Sequence, residues 1–270
     1  MAITPHVLSS EEAFKNELAR YFMSVENIGK IDQWVYADIK GVPTIGIGYA
    51  MVIYDKKEKK WYVRTNIEAQ MSAIGKTVSE DDKVILNDIV ASLNDGDIEE
   101  ASNFATGSNF SFEPMTDDEA KNLLNYVVKT EYAGELKRRI GDTLYNQLAG
   151  SKEMVALLSI VYQGWGSAIK QPLIDALIDD DRVEAWYQIR YAMNTANAGW
   201  VANRRYKEAN EFGLYNGTTT DINTDEAKEI LQMYTEHRSE ILEYEFKYSP
   251  TSSIQNEIQP AKTFLINAFG

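Results

Sequence analysis

The feature that most constrains the fold is a change of period. Most of the chain carries apolar residues at helical spacing, but from Val35 to Tyr49 it turns rich in Val, Ile, Tyr and Thr, punctuated by Gly41, Pro43, Gly46 and Gly48. β-Branched and aromatic residues suit a pleated, half-buried surface, and Gly and Pro interrupt it, so short strands and turns are expected there. Val52 to Tyr54 and Trp61 to Val63 flank the polar run Asp55 to Lys60, which reads as a hairpin with a charged tip. The β content therefore gathers in one short region of an otherwise helical chain.

Ser9-Ser10-Glu11-Glu12 reads as a capping box in which Ser9 and Glu12 satisfy each other's backbone donors. The helix after it should run to about Val25, with Phe14, Leu18, Tyr21, Phe22 and Val25 on one apolar stripe. Helical patterns return from Asn66 to about Ser102, where Ser79 precedes three acidic residues suited to a helix N-terminus. A Gly, Ser and Asn-rich stretch from Ala105 to Ser111 marks the expected lobe boundary, ahead of Pro114. Thr116 to Glu119 is a second capping box, and helices broken at Gly141, Gly150, Gly164 to Gly166, Pro172 and Gly199 follow to about Tyr215. After a loop at Gly217 to Thr220, one charged helix is expected from Asn223 to about Tyr248, with Ile230, Leu231, Tyr234, Ile241 and Leu242 apolar. Pro250 and Pro260 punctuate the remainder, which closes on the apolar run Phe264 to Phe269. The expected class is α+β, predominantly helical, divided as 1–113, 114–216 and an extension 217–270.

Composition removes several functions. With 270 residues the chain can bury a core without covalent staples, and it has no Cys, so disulfides and thiolate metal sites are excluded. No run approaches the apolar length of a membrane span, and the N-terminus lacks a basic and then apolar leader, so neither membrane insertion nor signal-peptide export is expected. A formal charge of -14 argues against nucleic acid as a partner, because phosphate contacts need clustered Lys and Arg. The same charge gives no electrostatic steering toward any anionic polymer.

The informative constellation is a pair of carboxylates and a hydroxyl: Glu26 at a helix end, Asp38 after Tyr36-Ala, and Thr44 within Gly41-Val-Pro-Thr44-Ile-Gly46-Ile-Gly48. Glycoside cleavage needs one carboxyl to protonate the leaving oxygen and another to activate water or attack the sugar. A carboxyl at a helix end, backed by aromatic residues, can be desolvated enough to keep its proton, which suits Glu26; a carboxyl in a polar turn suits the ionised role, as at Asp38. Glycines allow a sugar chain to approach the backbone. Read by chemistry alone, both carboxylates equally fit caps or solvated charges.

The string Tyr36-Ala-Asp38-Ile-Lys-Gly41-Val-Pro-Thr44-Ile-Gly46-Ile-Gly48 resembles the signature of phage-type lysozymes, family 24 of the glycoside hydrolases. Thr116-Asp-Asp-Glu-Ala120, Ala156 to Gly164 and Trp200 to Glu208 resemble later segments of the same family, so the likeness extends discontinuously over residues 12 to 215. The resemblance implies a small α/β lobe and a helical lobe joined by a long helix, with peptidoglycan glycan strands bound in a cleft between them. It implies Glu26 as general acid, Asp38 and Thr44 as the groups that hold the attacking water, and an inverting cleavage between N-acetylmuramic acid and N-acetylglucosamine. Gly46, Gly48, Tyr162, Gln163 and Arg204 fall at positions the resemblance assigns to the substrate cleft, Arg204 near the acid. Glu26 stands twelve residues before Asp38, so the Asn27 to Trp34 loop carries about three residues more than the family pattern; Tyr49 stands where many members have His, and residues 217–270 have no counterpart. The extension is expected to pack on the helical lobe or to recruit a delivery partner, and to be dispensable for cleavage. Delivery to the wall would fall to a holin, a phage particle or a secretion apparatus.

No cofactor and no metal is expected. Asp221, Asn223 and Asp225 open like a calcium loop, but Glu226 replaces its turn Gly and Gln232 its final Glu. Asp179 to Asp181 reads as a solvated turn between helices. His6, near the terminus, and His237, in a charged helix, are the only histidines, which excludes zinc hydrolysis and Ser-His catalysis. Gly46-Ile-Gly48 lacks the third Gly of a dinucleotide turn. The rival function is a catalytically silent lysozyme-fold module that binds or builds.

Overall fold

A computed structural model describes residues 3–26 and 29–269, so Asn27 and Ile28 of the loop expected before Trp34 lie outside the described residues. The chain is 63% helical with small antiparallel sheets, an α+β protein as expected. It forms two compact units, residues 15–130 and residues 1–14 with 131–270.

The first unit contains most of helix α1 (Glu11–Glu26) and the whole β region. Leu18, Tyr21 and Phe22 bury one face of α1, and Val25 is half-buried. The helix starts one residue later than the capping box suggested: Ser10 Oγ accepts from Ala13 N at 3.0 Å and the Ser10 carbonyl from Phe14 N. The position that would reciprocate is then Ala13, which has no carboxylate. Strands β1 (Asp32–Ala37), β2 (Pro43–Gly46) and β3 (Tyr49–Ala50) form one antiparallel sheet in that order, and β4 (Val52–Asp55) pairs with β5 (Lys60–Val63) as the expected hairpin. Asp55 Oδ1 caps its tip by accepting from Lys57 N and Glu58 N.

Helices α2 (Ile67–Ser72), α3 (Glu80–Asp95), α4 (Ile98–Phe104) and α5 (Asp117–Val127) complete this unit. Ser79 and Asp82 form a reciprocal cap on α3, and Thr116 and Glu119 one on α5. The boundary expected at 113/114 falls instead at 130/131. Asp82, buried, accepts from Ser111 N and Ser111 Oγ at 2.7 Å each, so the Gly and Ser-rich stretch is fastened to α3 rather than acting as a linker. Burial would raise the Asp82 carboxyl, but the hydrogen bonds from Ser111 and Ser79 outweigh it and hold the group below its ordinary value. Met115 N donates to Gln33 O at 2.7 Å, and α5 packs its Ala120, Leu123, Leu124 and Val127 face within this unit.

A π-helical segment, Val128–Tyr132, carries the chain into the second unit, which holds α6 (Ala133–Ile140), α7 (Asp142–Leu148), α8 (Lys152–Tyr162), α9 (Gln171–Ile178), α10 (Arg182–Tyr187) and α11 (Gly199–Phe212). The extension 217–270 belongs to it as α12 (Thr224–Glu236), α13 (Arg238–Tyr248) and α14 (Ile254–Phe269) and is not a separate body. The single helix expected over 223–248 is broken at His237, whose ring stacks on Tyr187 at 3.7 Å and whose Nε2 meets Glu184 Oε2 at 3.0 Å. Leu242 is exposed, and Met233 is buried in its stead. Asn223 of the calcium-like run caps α12 by accepting from Glu226 N.

His6, near the terminus, is anchored. Its Nδ1 lies 2.8 Å from Glu153 Oε1, its Nε2 3.1 Å from Asn216 O, and Arg182 Nη2 donates to the same Glu153 oxygen at 2.6 Å. Burial pushes the Glu153 carboxyl up, but His6 and Arg182 outweigh it and bring it down to about 2 from 4.5. A lowered acid stabilises the fold above its unfolded value and loses that contribution as pH falls through the folded one. We therefore expect about 3 kcal/mol of stability to disappear between pH 5 and pH 2 in urea melts, and Glu153→Gln to flatten that limb. Glu229 acts with opposite sign: burial and the charges of Asp181, Asp225, Glu226 and Asp180 raise its carboxyl, so its contribution is present in acid and lost as pH rises.

Candidate active site

The turn between β1 and β2 is built around Asp38. Its N–H donates to Val42 O at 3.0 Å, and its Oδ1 accepts from Lys40 N at 2.7 Å and Val42 N at 2.9 Å. Gly41 takes φ +76°, and a Cβ there would lie 3.0 Å from Ile98 O of α4, so only glycine fits this turn. Thr44 Oγ1 donates to the same Val42 carbonyl at 3.1 Å. Among the described residues nothing donates to Asp38 Oδ2, which leaves that oxygen of a half-buried carboxylate available to a ligand or water.

Tyr36 pairs with Thr44 across β1 and β2. Paired residues share a sheet face and alternate residues return to it, so Tyr36 and Thr44 lie together and Asp38 follows on the same side. Glu26 ends α1, where Gly29, at φ +81°, donates to Met23 O and closes the helix. The Tyr36 phenol is pushed up to about 12, first by burial and then by the charges of Asp32, Asp38 and Glu26. Three carboxylates thus act on one hydroxyl, and Glu26 and Asp38 are among them. Tyr36 and Asp32 were given no separate role in the sequence; the two-residue spacing of Tyr36 and Asp38 could have found the first, whereas the register shift between Asp32 and Tyr36 hides the second from alternation.

Thr44 is placed less openly than a water-binding hydroxyl requires, being 5% exposed. Gly46, at φ +65°, faces protein rather than open space: a Cβ there would meet Met115 Sδ at 3.0 Å and Ala120 Cβ at 3.5 Å. Its missing side chain serves close packing on α5. Gly48, half-buried at φ +70°, carries the turn into β3.

The remaining candidates belong to the other unit. Tyr162 ends α8 with its ring 4.8 Å from Tyr132, and Gln163 caps the same helix, both half-buried. Arg204 is buried in α11, with Nη2 donating to Ser159 Oγ at 2.9 Å and Nε to Glu208 Oε1 at 3.2 Å. Glu208, wholly buried, also pairs with Arg205, and burial raises its carboxyl despite both guanidinium groups. Arg204, Arg205 and Glu208 thus form a buried cluster that, through Ser159, joins α8 to α11.

No protein-family description, curated protein or solved structure matches the chain.

Proposed function

We propose that the chain is a peptidoglycan hydrolase of the lysozyme type, cleaving the β-1,4 bond between N-acetylmuramic acid and N-acetylglucosamine. The observation that supports this best is the Asp38 turn, where Lys40 N and Val42 N hold Oδ1 and Thr44 pairs with Tyr36 alongside, with Glu26 and Asp38 both raising the Tyr36 phenol. In this reading Glu26 gives its proton to the leaving glycosidic oxygen while Asp38 Oδ2 takes a proton from the water that attacks the anomeric carbon. The C–O bond breaks, the water oxygen takes its place on the opposite face of the sugar, and the configuration inverts. The two backbone donors on Oδ1 keep the attacking-side oxygen aimed while the proton moves. Thr44, at its burial, reaches only a water admitted to the sheet face; its hydroxyl also holds the Val42 carbonyl that fixes the Asp38 turn.

Gly48 is carried in this reading as a site of close backbone approach. Among the described residues no helix is long and apolar enough to cross a membrane. In this reading a delivery partner carries the protein to the wall. The test is release of reducing ends from purified peptidoglycan. Folded wild type is expected to release them; a folded protein that releases none, beside an active reference lysozyme, overturns the reading.

A further inference from the structure

The second unit contains a cavity of about 700 Å³ that involves none of the residues assigned to hydrolysis. It lies among α10, the end of α11, the loop 213–221 and α14, and that volume is in the range that holds a drug-sized ligand. Trp186, Leu214, Tyr215 and Pro260 supply its apolar wall. Its polar wall is rich in acceptors: the carboxylates of Glu211, Asp221 and Glu257 and the side-chain amides of Asn210 and Asn256.

Proline adds a further acceptor. Pro260 sits inside α14 and has no N–H, so the Asn256 carbonyl four residues earlier receives no helical hydrogen bond from position 260, and both residues line the cavity. Cations are fewer. Lys152 and His6 are the basic groups of the wall, and His6 has both ring nitrogens engaged, on Glu153 and on Asn216 O. The carboxylates of Glu211 and Asp221 disfavour phosphate and carboxylate ligands, while Glu257 faces Arg190 Nη1 at 3.9 Å. What remains is a ligand with many O–H or N–H donors, no negative charge and an apolar face to lay on Pro260. We propose that this cavity binds a small saccharide, neutral or amino-substituted.

Neither Glu26 nor Asp38 lines this cavity, so saccharide binding there stands apart from the hydrolase reading. The test titrates the full-length protein with glucosamine, N-acetylglucosamine and its disaccharide, with inorganic phosphate as the anionic comparison. Binding is followed through the backbone amide resonances of Gly217, Thr218 and Thr219, which line the cavity. Saturable shifts are expected with a saccharide and none with phosphate. Asn210→Ala with Asn256→Ala, both at exposed positions, should weaken binding about tenfold or more. Thr219→Trp, in the exposed loop, should block the cavity, and Asp38→Asn should leave the shifts unchanged. Absence of saturable shifts with every saccharide, equal shifts with phosphate, or wild-type affinity in the folded cavity variants overturns the proposal.

Discussion

Glu26→Gln and Asp38→Asn are expected to fold as wild type and to release reducing ends from peptidoglycan at least about a hundredfold more slowly, the scale on which a positioned acid or base acts. The two changes are chosen because they separate chemistry from architecture. Asp38→Asn keeps a carbonyl oxygen where Oδ1 accepts from Lys40 N and Val42 N, so the turn retains its hydrogen bonds while the second, proton-accepting oxygen is lost. An alanine at the same position would remove both and open the turn, and its inactivity would say little. At Glu26 the glutamine keeps length and volume at the end of α1 and removes only the transferable proton. Circular dichroism melts that overlay wild type, beside lost activity, assign the effect to the reaction. Folded variants that cut as fast as wild type would return both carboxylates to the role of turn and helix-end charges.

The residues whose partners lie close in sequence were the ones legible from it. The Thr116 and Glu119 cap, the hairpin around Asp55 to Lys60 and the short strands depend on turn chemistry and alternation over a few positions, and they stand close to where expected, although β1 begins at Asp32, within the segment read as a loop. The Asp38 turn was legible for the same reason, since its hydrogen bonds close within five residues. Features set by distant partners were not. His237 breaks a helix because Tyr187 and Glu184 receive its ring, Ser111 is fastened by Asp82, and Gly46 is needed because Met115 lies against it. Periodicity carries no trace of such pairings. Helix α14 was missed because Pro260 reads as a breaker, yet a proline within a helix removes one hydrogen bond, and Ile254, Ile258 and Ala261 bury enough apolar surface around it to keep the helix.

A protein ending at Asn216 is expected not to fold its second unit, contrary to the reading of residues 217–270 as a removable extension. Ile230, Ile241, Ile254 and Ile258 are each 0% exposed, and burying an isoleucine side chain contributes about 1.5–3 kcal/mol, so these four alone contribute about 6–12 kcal/mol, as much as the whole stability of many domains. Polar losses add to this. Tyr215 Oη would lose Glu257 O, Tyr191 Oη would lose Glu245, and the buried Arg190 would lose Ser252 O, leaving a guanidinium held against the Trp186 and Tyr206 rings without that acceptor. An unsatisfied buried cation is among the costliest defects a core can carry. The truncated chain should therefore be insoluble or should lose the cooperative melt of this unit, with residues 131–216 cut rapidly by protease. Loss of hydrolysis on truncation would then report unfolding rather than a catalytic part for the tail. A truncated protein that melts cooperatively within a few degrees of wild type would show that α12 to α14 cover a core that closes without them.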